Sequence, residues 1–253
     1  MTVTSQVTVT SNMERSLSQK VKAVLFDLDG TLRHHVPTGS KVFIEYLKSI
    51  GVRFSEEDET RAERWEHFYF ANSFEIQADK KKFDHESGAF WVNYSRRRLA
   101  ALGLSPAKAA ELAPDVSAHM GVHYKPAVHM PEEAPRILGA LKDEGYRLGV
   151  VSNRDKPFHE ELKEMDIHSH FDFTLAAGEV QSFKPDSGIF LKALELAGTA
   201  PHETMYVGDN YFADAVGAHR AGLVPVLYDP SRLFPDAECA VIRSFDELHG
   251  LLM

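Results

Sequence analysis

The sequence predicts an α/β protein: a doubly wound parallel sheet with a second, all-helical subdomain inserted into it. Three observations carry that prediction. Short unbroken apolar runs such as VLF, LGVV and VPVLY recur, and each closes on a polar residue. Amphipathic helical stretches alternate with them, the pattern of parallel strands covered by helices on both faces. From Pro37 to about Pro126, by contrast, the pattern is helical throughout, and that span is too long for a loop inside a compact domain.

Residues 1–20 have no apolar segment like that of a signal peptide and are read as a flexible tail, despite their Thr/Val alternation. VLFDLDGTL, at 24–32, is the first strand, and it closes on Asp27 and Asp29. The helical insertion follows. Ser55 with Asp58 opens a helix over TRAERWEHFYFANSF, a second covers HESGAFWVNYSRRRLAALG to near Gly103, and SPAKAAELAPDVSAHM begins a third. The helix PEEAPRILGALKDEG (131–145) leads into the strand RLGVVSN (147–153), and KPFHEELKEMD (156–166) follows. A weaker strand, FDFTLA (171–176), precedes a helix over 185–198 with Pro185 as its first residue and Gly198 past its end. The remaining elements are the strand TMYVGD (204–209), a helix over 210–222, the strand GLVPVLYD (222–229) and a helix over 244–252 with a Ser244/Glu247 capping box. The catalytic core is therefore expected over 1–36 and 126–253, with 37–125 as the insertion. Because the insertion enters straight after the two aspartates, it would sit over them as a lid.

Composition narrows the function. With 253 residues, 43% of them apolar and 26% charged, the chain reads as an ordinary globular protein with a substantial core. A net charge of −9 argues against nucleic acid or an anionic membrane as partner, and no apolar run approaches a membrane span. The single cysteine, Cys239, cannot form an intrachain disulfide, which suits a cytoplasmic location.

In a doubly wound sheet, ligands bind beyond the carboxyl ends of the strands. The polar strand ends here are Asp27 and Asp29, Ser152 and Asn153, and Asp209, with Asp214 a turn further on. Lys184 stands just before a predicted helix start, whose free N–H groups suit an anion. Several carboxylates without an arginine cluster call for a hard divalent cation, and Mg²⁺ is usually held by carboxylates together with substrate phosphate. One carboxylate can then attack phosphorus while its neighbour moves protons, for which Asp29 would need a pKa raised by burial.

DLDGT (27–31), SN (152–153), KP (184–185) and GDNYFAD (208–214), each following an apolar run in this order, resemble the motifs of the haloacid dehalogenase-like hydrolase superfamily, in its helical-cap phosphatase branch. The resemblance implies a Rossmann-like core with an inserted cap, and Mg²⁺-dependent hydrolysis of a small phosphorylated metabolite. It implies Asp27 as nucleophile and metal ligand, and Asp29 as acid/base with its backbone carbonyl on the metal. It further implies Thr31, Ser152, Asn153 and Lys184 at the phosphoryl group, Asp209 as metal ligand, and Asp214 supporting the metal or Lys184. Position 213, often Asn in such proteins, is Ala here. An intramolecular phosphosugar mutase is the alternative; dehalogenase and phosphonatase readings fit less well, because an acid stands at position 29. A non-catalytic binding module also fits less well, because it should have lost part of the constellation.

Other candidates have plainer readings beside them. Trp65, Phe68 and Tyr69 follow helical spacing and are read as core, whereas Phe70 and Phe74 lie off that stripe as pocket candidates. His34 and His35 follow the first motif closely. His119 and His123 are an i, i+4 pair with no third ligand apparent, in a helix that Gly121 should interrupt. Lys80–Lys82 read as a solvated turn, Arg96–Arg98 as a patch that could steer anions, and Asn210 as a helix N-cap.

Overall fold

The computed structural model describes residues 21–84 and 87–252; the tail expected over 1–20 lies outside them. Among the described residues the strands are β1 (Ala23–Phe26), β2 (His34–Val36), β3 (Ala127–His129), β4 (Arg147–Ser152), β5 (Phe173–Ala176), β6 (Thr204–Gly208), β7 (Val224–Tyr228) and β8 (Ala240–Ile242). Contacts divide the chain into two compact units, 34–129 and the remainder on either side of it.

The first unit is a six-stranded sheet in the order β5-β4-β1-β6-β7-β8, with every pairing parallel. β1 is buried at all four positions and pairs through Ala23–Phe26 with both β4 and β6. Side chains alternate across the sheet, so Val24, Phe26, Leu148, Val150, Met205 and Val207 share one face. The helices Ala134–Asp143 and Phe245–Leu252 cover that face with Ile137, Leu138, Leu141, Phe245 and Leu248. Leu25, Val151, Leu175 and Tyr206 point the other way, under Ile189, Phe190 and Leu194 of the helix Ser187–Ala197. Each fully buried side chain of this size stabilises the fold by about 1.5–3 kcal/mol, which is why two apolar faces need two helical layers. The chain runs from β1 outward through β4 to β5, then crosses to β6 and runs outward the other way. The crevice beside β1 is thus the switch point of the sheet.

Several predicted boundaries move. The helix expected from Pro185 begins at Ser187 with Asp186 as N-cap. Pro185 instead lies in a turn closed by the Asp186 N–H on Phe183 O, and the Lys184–Pro185 peptide is cis. The first-turn N–H of Ile189 is occupied by Ser182 Oγ at 3.1 Å. The helix of 156–166 shortens to His159–Glu164, and that of 210–222 divides into a π-helical turn, Tyr211–Ala215, and an α-helix, Val216–Arg220. β8 was not predicted, since three residues carry too little pattern.

Among its described residues, the second unit carries strands only at its two ends, outside the predicted helical span of 37–125. β2 and β3 form an antiparallel ribbon, His34 opposite His129 and Val36 opposite Ala127, at the two points where the chain enters and leaves it. Its helices are Gly39–Ser49, Glu56–Phe70, Phe74–Lys82, Gly88–Ala101 and Pro106–His123. Thr38, Ser55, Ser73, Ser87 and Ser105 cap them, each side chain accepting a hydrogen bond from an N–H in the first turn. Phe43, Leu47, Leu99, Leu102, Ala113 and Val116 form one core, and Tyr69, Ile76, Phe90 and Tyr94 a second beside Trp65. Phe68 meets Phe74 edge-on, Phe70 lies against Tyr69 and Tyr94, and Phe74 is 73% exposed.

Lys80–Lys82 are the last turn of a helix, where their charge suits the dipole, and not a solvated turn. The arginine run does not face outward as a patch. Arg98 is buried against Glu66 with its guanidinium 4.5 Å from the Phe43 ring centroid, and Arg97 grips Asp79 at 2.7 and 3.0 Å. Gly121 does not interrupt its helix, because a glycine in a last turn costs only about 1 kcal/mol. His119 stacks on His123 at 4.3 Å and on Tyr46 at 3.8 Å, an arrangement of rings side by side.

Candidate active site

The site is built where β1, β4 and β6 end. The Asp27 N–H donates to Val207 O, extending the β1–β6 ladder one residue and fixing the aspartate at its tip. Asp27 and Lys184 are both nearly buried, and Lys184 Nζ donates to Asp27 Oδ1 at 2.6 Å. The same ammonium donates to Asp214 Oδ1 at 2.6 Å, to Tyr206 Oη at 2.9 Å and toward Val151 O at 3.2 Å. Asn153 holds the lysine's backbone: its Oδ1 accepts from Lys184 N at 2.6 Å, and its Nδ2 donates to Lys184 O at 2.9 Å. The side-chain amide of Asn153 is thus committed to the lysine loop. Ser152, 2% exposed, stands beside it at the end of β4.

Asp209 approaches from β6. Thr31 Oγ1 lies 3.1 Å from Asp209 Oδ1 and 3.5 Å from Asp27 Oδ2, and it accepts from Asp209 N at 3.0 Å. Asp27, Asp209 and Asp214 each present one carboxylate oxygen, all within 4.8 Å of one another. Two glycines make room for this. A Cβ on Gly30, at φ +96°, would fall 2.4 Å from Asp209 Oδ2, and one on Gly208 would fall 2.4 Å from the Asp214 carboxyl. The glycines of the DG and GD pairs are therefore the places where carboxyl groups press on bare backbone. Asn210 caps the turn after β6 as expected, accepting from the N–H groups of Phe212 and Ala213, while its own N–H donates to Asp214 Oδ2 at 2.9 Å.

The electrostatics follow from burial. Loss of water pushes the Asp27 carboxyl up to about 7 against the pull of Lys184. Burial first, then Asp27 and Asp214, hold Asp209 well above the ordinary carboxylate range. Burial also works against the charge on Lys184, but Asp214 and Asp27 outweigh it and the ammonium stays protonated.

Asp29 departs from expectation. Arg154 grips it from Nε at 2.7 Å and from Nη2 at 2.9 Å, and Arg33 Nη1 adds a bond at 2.9 Å. Burial acts to raise its pKa, yet the hydrogen bonds and charges of the two arginines prevail and hold it below the ordinary range. The expectations of a raised Asp29 and of carboxylates without compensating arginines are both corrected.

Tyr206, Arg154 and Arg33 are the residues that sequence reasoning missed. Tyr206 carried a signal, since a tyrosine inside a buried strand needs a partner for its hydroxyl, here Val151 O at 2.9 Å. Arg154 directly follows Asn153, but adjacency alone does not say where a long side chain points.

The family model for haloacid dehalogenase-like hydrolases matches residues 24–227. The chain belongs to this family. Among its members, the chain is 36% identical over 97 residues to "Haloacid dehalogenase-like hydrolase domain-containing protein 3" of Xenopus laevis, a match covering 38% of this chain and 40% of that one. It is 28% identical over 215 residues to the ribulose-1,5-bisphosphate 5-phosphatase of Halopiger xanaduensis, covering 83% and 85% of the two chains. In fold it is similar to the crystal structure of an HAD phosphatase from Thermococcus onnurineus, with a TM-score of 0.53, 23% identity and coverage of 92% and 98%. No described helix is long and apolar enough to cross a membrane.

Proposed function

We propose that this haloacid dehalogenase-like hydrolase is a Mg²⁺-dependent phosphatase of small phosphorylated metabolites that works through an aspartyl-phosphate on Asp27. The observation that carries the reading is the position of Lys184 Nζ, 2.6 Å from both Asp27 and Asp214 and beside the third carboxylate of the cluster. The donor set suits a small hard cation: three carboxylates converge on one volume with a single ammonium among them. Asp27, Asp209 and the Asp29 backbone carbonyl would hold the ion, with Asp214 behind them. When bound, it would offset the negative charge of the phosphoryl oxygens facing the aspartates.

The chain's own residues do the rest. Asp27 attacks phosphorus and forms an acyl phosphate while the ester oxygen leaves with a proton from Asp29. Asp29, now a carboxylate, takes a proton from water, which attacks the acyl phosphate and restores Asp27 as inorganic phosphate departs. Lys184 offsets charge between phosphate and nucleophile, and Ser152, the Asn153 backbone N–H and Thr31 orient the phosphoryl oxygens. The phosphatase relative from Halopiger xanaduensis, aligned over 215 residues, supports hydrolysis as the outcome.

The test is phosphate release from a panel of sugar, nucleotide, carboxylic-acid and aryl phosphates with Mg²⁺ present. EDTA and, separately, Asp27→Asn should abolish it. Retention of more than a few per cent of the wild-type rate in Asp27→Asn removes the nucleophile assignment.

A further inference from the structure

In the proposed reaction Asp29 must carry a proton to the leaving oxygen, yet it is held away from that task. Arg154 binds it with two parallel bonds of 2.7 and 2.9 Å, the geometry by which guanidinium recognises a free carboxylate or phosphate. Arg154 is itself braced: Nη1 donates to Glu161 at 2.7 Å, and the guanidinium lies 5.8 Å from the ring centroid of buried Phe158. Its side chain is 24% exposed and that of Asp29 is 40% exposed, so the carboxylate is the more solvent-accessible partner of the pair. Releasing Asp29 leaves Nε and Nη2 of a three-quarters-buried guanidinium without the two bonds that Asp29 accepted, with only Glu161 on Nη1, unless another anion arrives.

We infer that Arg154 is a fork for a second anionic group, carboxylate or phosphate, on the alcohol portion of the substrate, and that this group frees Asp29 from Arg154 by taking its place, leaving only the single bond from Arg33. The inference rests on the phosphatase reading and deepens it. No heavy-atom bond changes in the exchange: the substrate's anionic group replaces the Asp29 carboxylate on the guanidinium, and the released carboxylate takes up a proton from solvent. The substrates favoured are phosphate monoesters of alcohols that already bear a negative charge.

The test compares ω-carboxyalkyl phosphates of one to four methylenes with the matching carboxamides, which have nearly the same shape but lack the charge. The best carboxylate should exceed its amide in kcat/KM by about tenfold or more, as expected for one charge-assisted pair. Arg154→Gln should bring that ratio to within about twofold, whereas a merely structural defect lowers both esters alike. If Arg154→Gln does not fold, Arg154→Lys serves, because an ammonium cannot make the two parallel bonds and the ratio must fall. Equal turnover of carboxylate and amide by the wild type overturns the inference and leaves the phosphatase standing, as does an unchanged ratio in the variants. Free propionate that speeds the amide would assign the fork to a separate anion and overturn the substrate class. If neither ester is hydrolysed under any condition, the phosphatase reading falls and the inference with it.

Discussion

Gly208→Ala tests whether the close approach of Asp214 to the backbone is what aims Lys184. The added Cβ would lie 2.4 Å from the Asp214 carboxyl, where ordinary contact begins at 3.4 Å. Asp214 must therefore retreat by about 1 Å, and as a 1% exposed side chain it has nowhere open to go. A carboxyl displaced that far cannot keep both its 2.6 Å bond from Lys184 and its 2.9 Å bond from the Asn210 N–H. Overpacking of this kind costs about 1–3 kcal/mol of stability. Losing a hydrogen bond between charged groups costs about 1.5–3 kcal/mol, and if that loss falls on the transition state it is roughly 10- to 150-fold in kcat/KM. Phosphate release from an aryl phosphate reads the second quantity, and urea unfolding reads the first. A variant within twofold of wild type in kcat/KM, with an unchanged unfolding midpoint, would refute the reasoning from Gly208 to Lys184.

Tyr206→Phe removes one acceptor from Lys184 and one donor from Val151 O; we expect a loss of about 1–3 kcal/mol in unfolding free energy and a lower kcat with KM little changed, read by urea titration and steady-state kinetics. Divalent metal binding at pH 6 should release protons, because burial holds Asp27 near 7 and Asp209 well above the ordinary carboxylate range in the metal-free protein. Calorimetry in two buffers of different ionisation enthalpy measures this, and identical heats would contradict it. Asp29→Asn should lower kcat by roughly 10²–10⁴ as a lost acid/base. The same variant should lower stability at neutral pH. Since the folded pKa of Asp29 lies below its unfolded value of about 3.9, that stabilisation is present above pH ~4 and lost as pH falls through the folded pKa. Wild-type and variant urea midpoints should converge at acid pH, and a gap that persists there would argue against the arginine pairing.

What was legible in the sequence was whatever a short window contains. Apolar runs mark β1, β4, β6 and β7, because a strand buried on both faces needs no polar residue until it ends. The polar ends of three of those strands then supply Asp27, Ser152 with Asn153, and Asp209. The helices Gly39–Ser49 and Phe74–Lys82 were not separated from their neighbours, although Thr38 and Ser73 are ordinary N-caps, since a long helical stretch conceals its own breaks. β8 and the β2–β3 ribbon are too short for a period of two to show. Arg154 was out of reach for a different reason. Its side chain spans to a residue 125 positions away, and only register and loop path determine where a flexible arginine ends.

The two carboxylates of DLD divide the labour in the opposite sense to the simplest expectation. Asp27 is enclosed at the tip of a buried strand, and its desolvation exceeds what one shared ammonium returns, so its charge is disfavoured until a cation arrives. Asp29, two residues on, has turned outward to a pair of guanidinium groups, and its charge is favoured. A nucleophile must be ionised and an acid must be protonated, so Asp29 rests in the state the first step cannot use, and Asp27, pushed up to about 7, is only partly in the state it needs. Metal at Asp27 and departure of Asp29 from Arg154 would correct both, and a site that needs both corrections stays idle toward water and toward esters that bring neither. The two corrections fall on different groups, so metal concentration and the anionic group of the ester should each raise kcat/KM, and neither should substitute for the other. A matrix of metal concentrations against carboxylate and amide esters reads this directly, and an amide ester that matches the carboxylate once metal is saturating would mean that Asp29 needs no release.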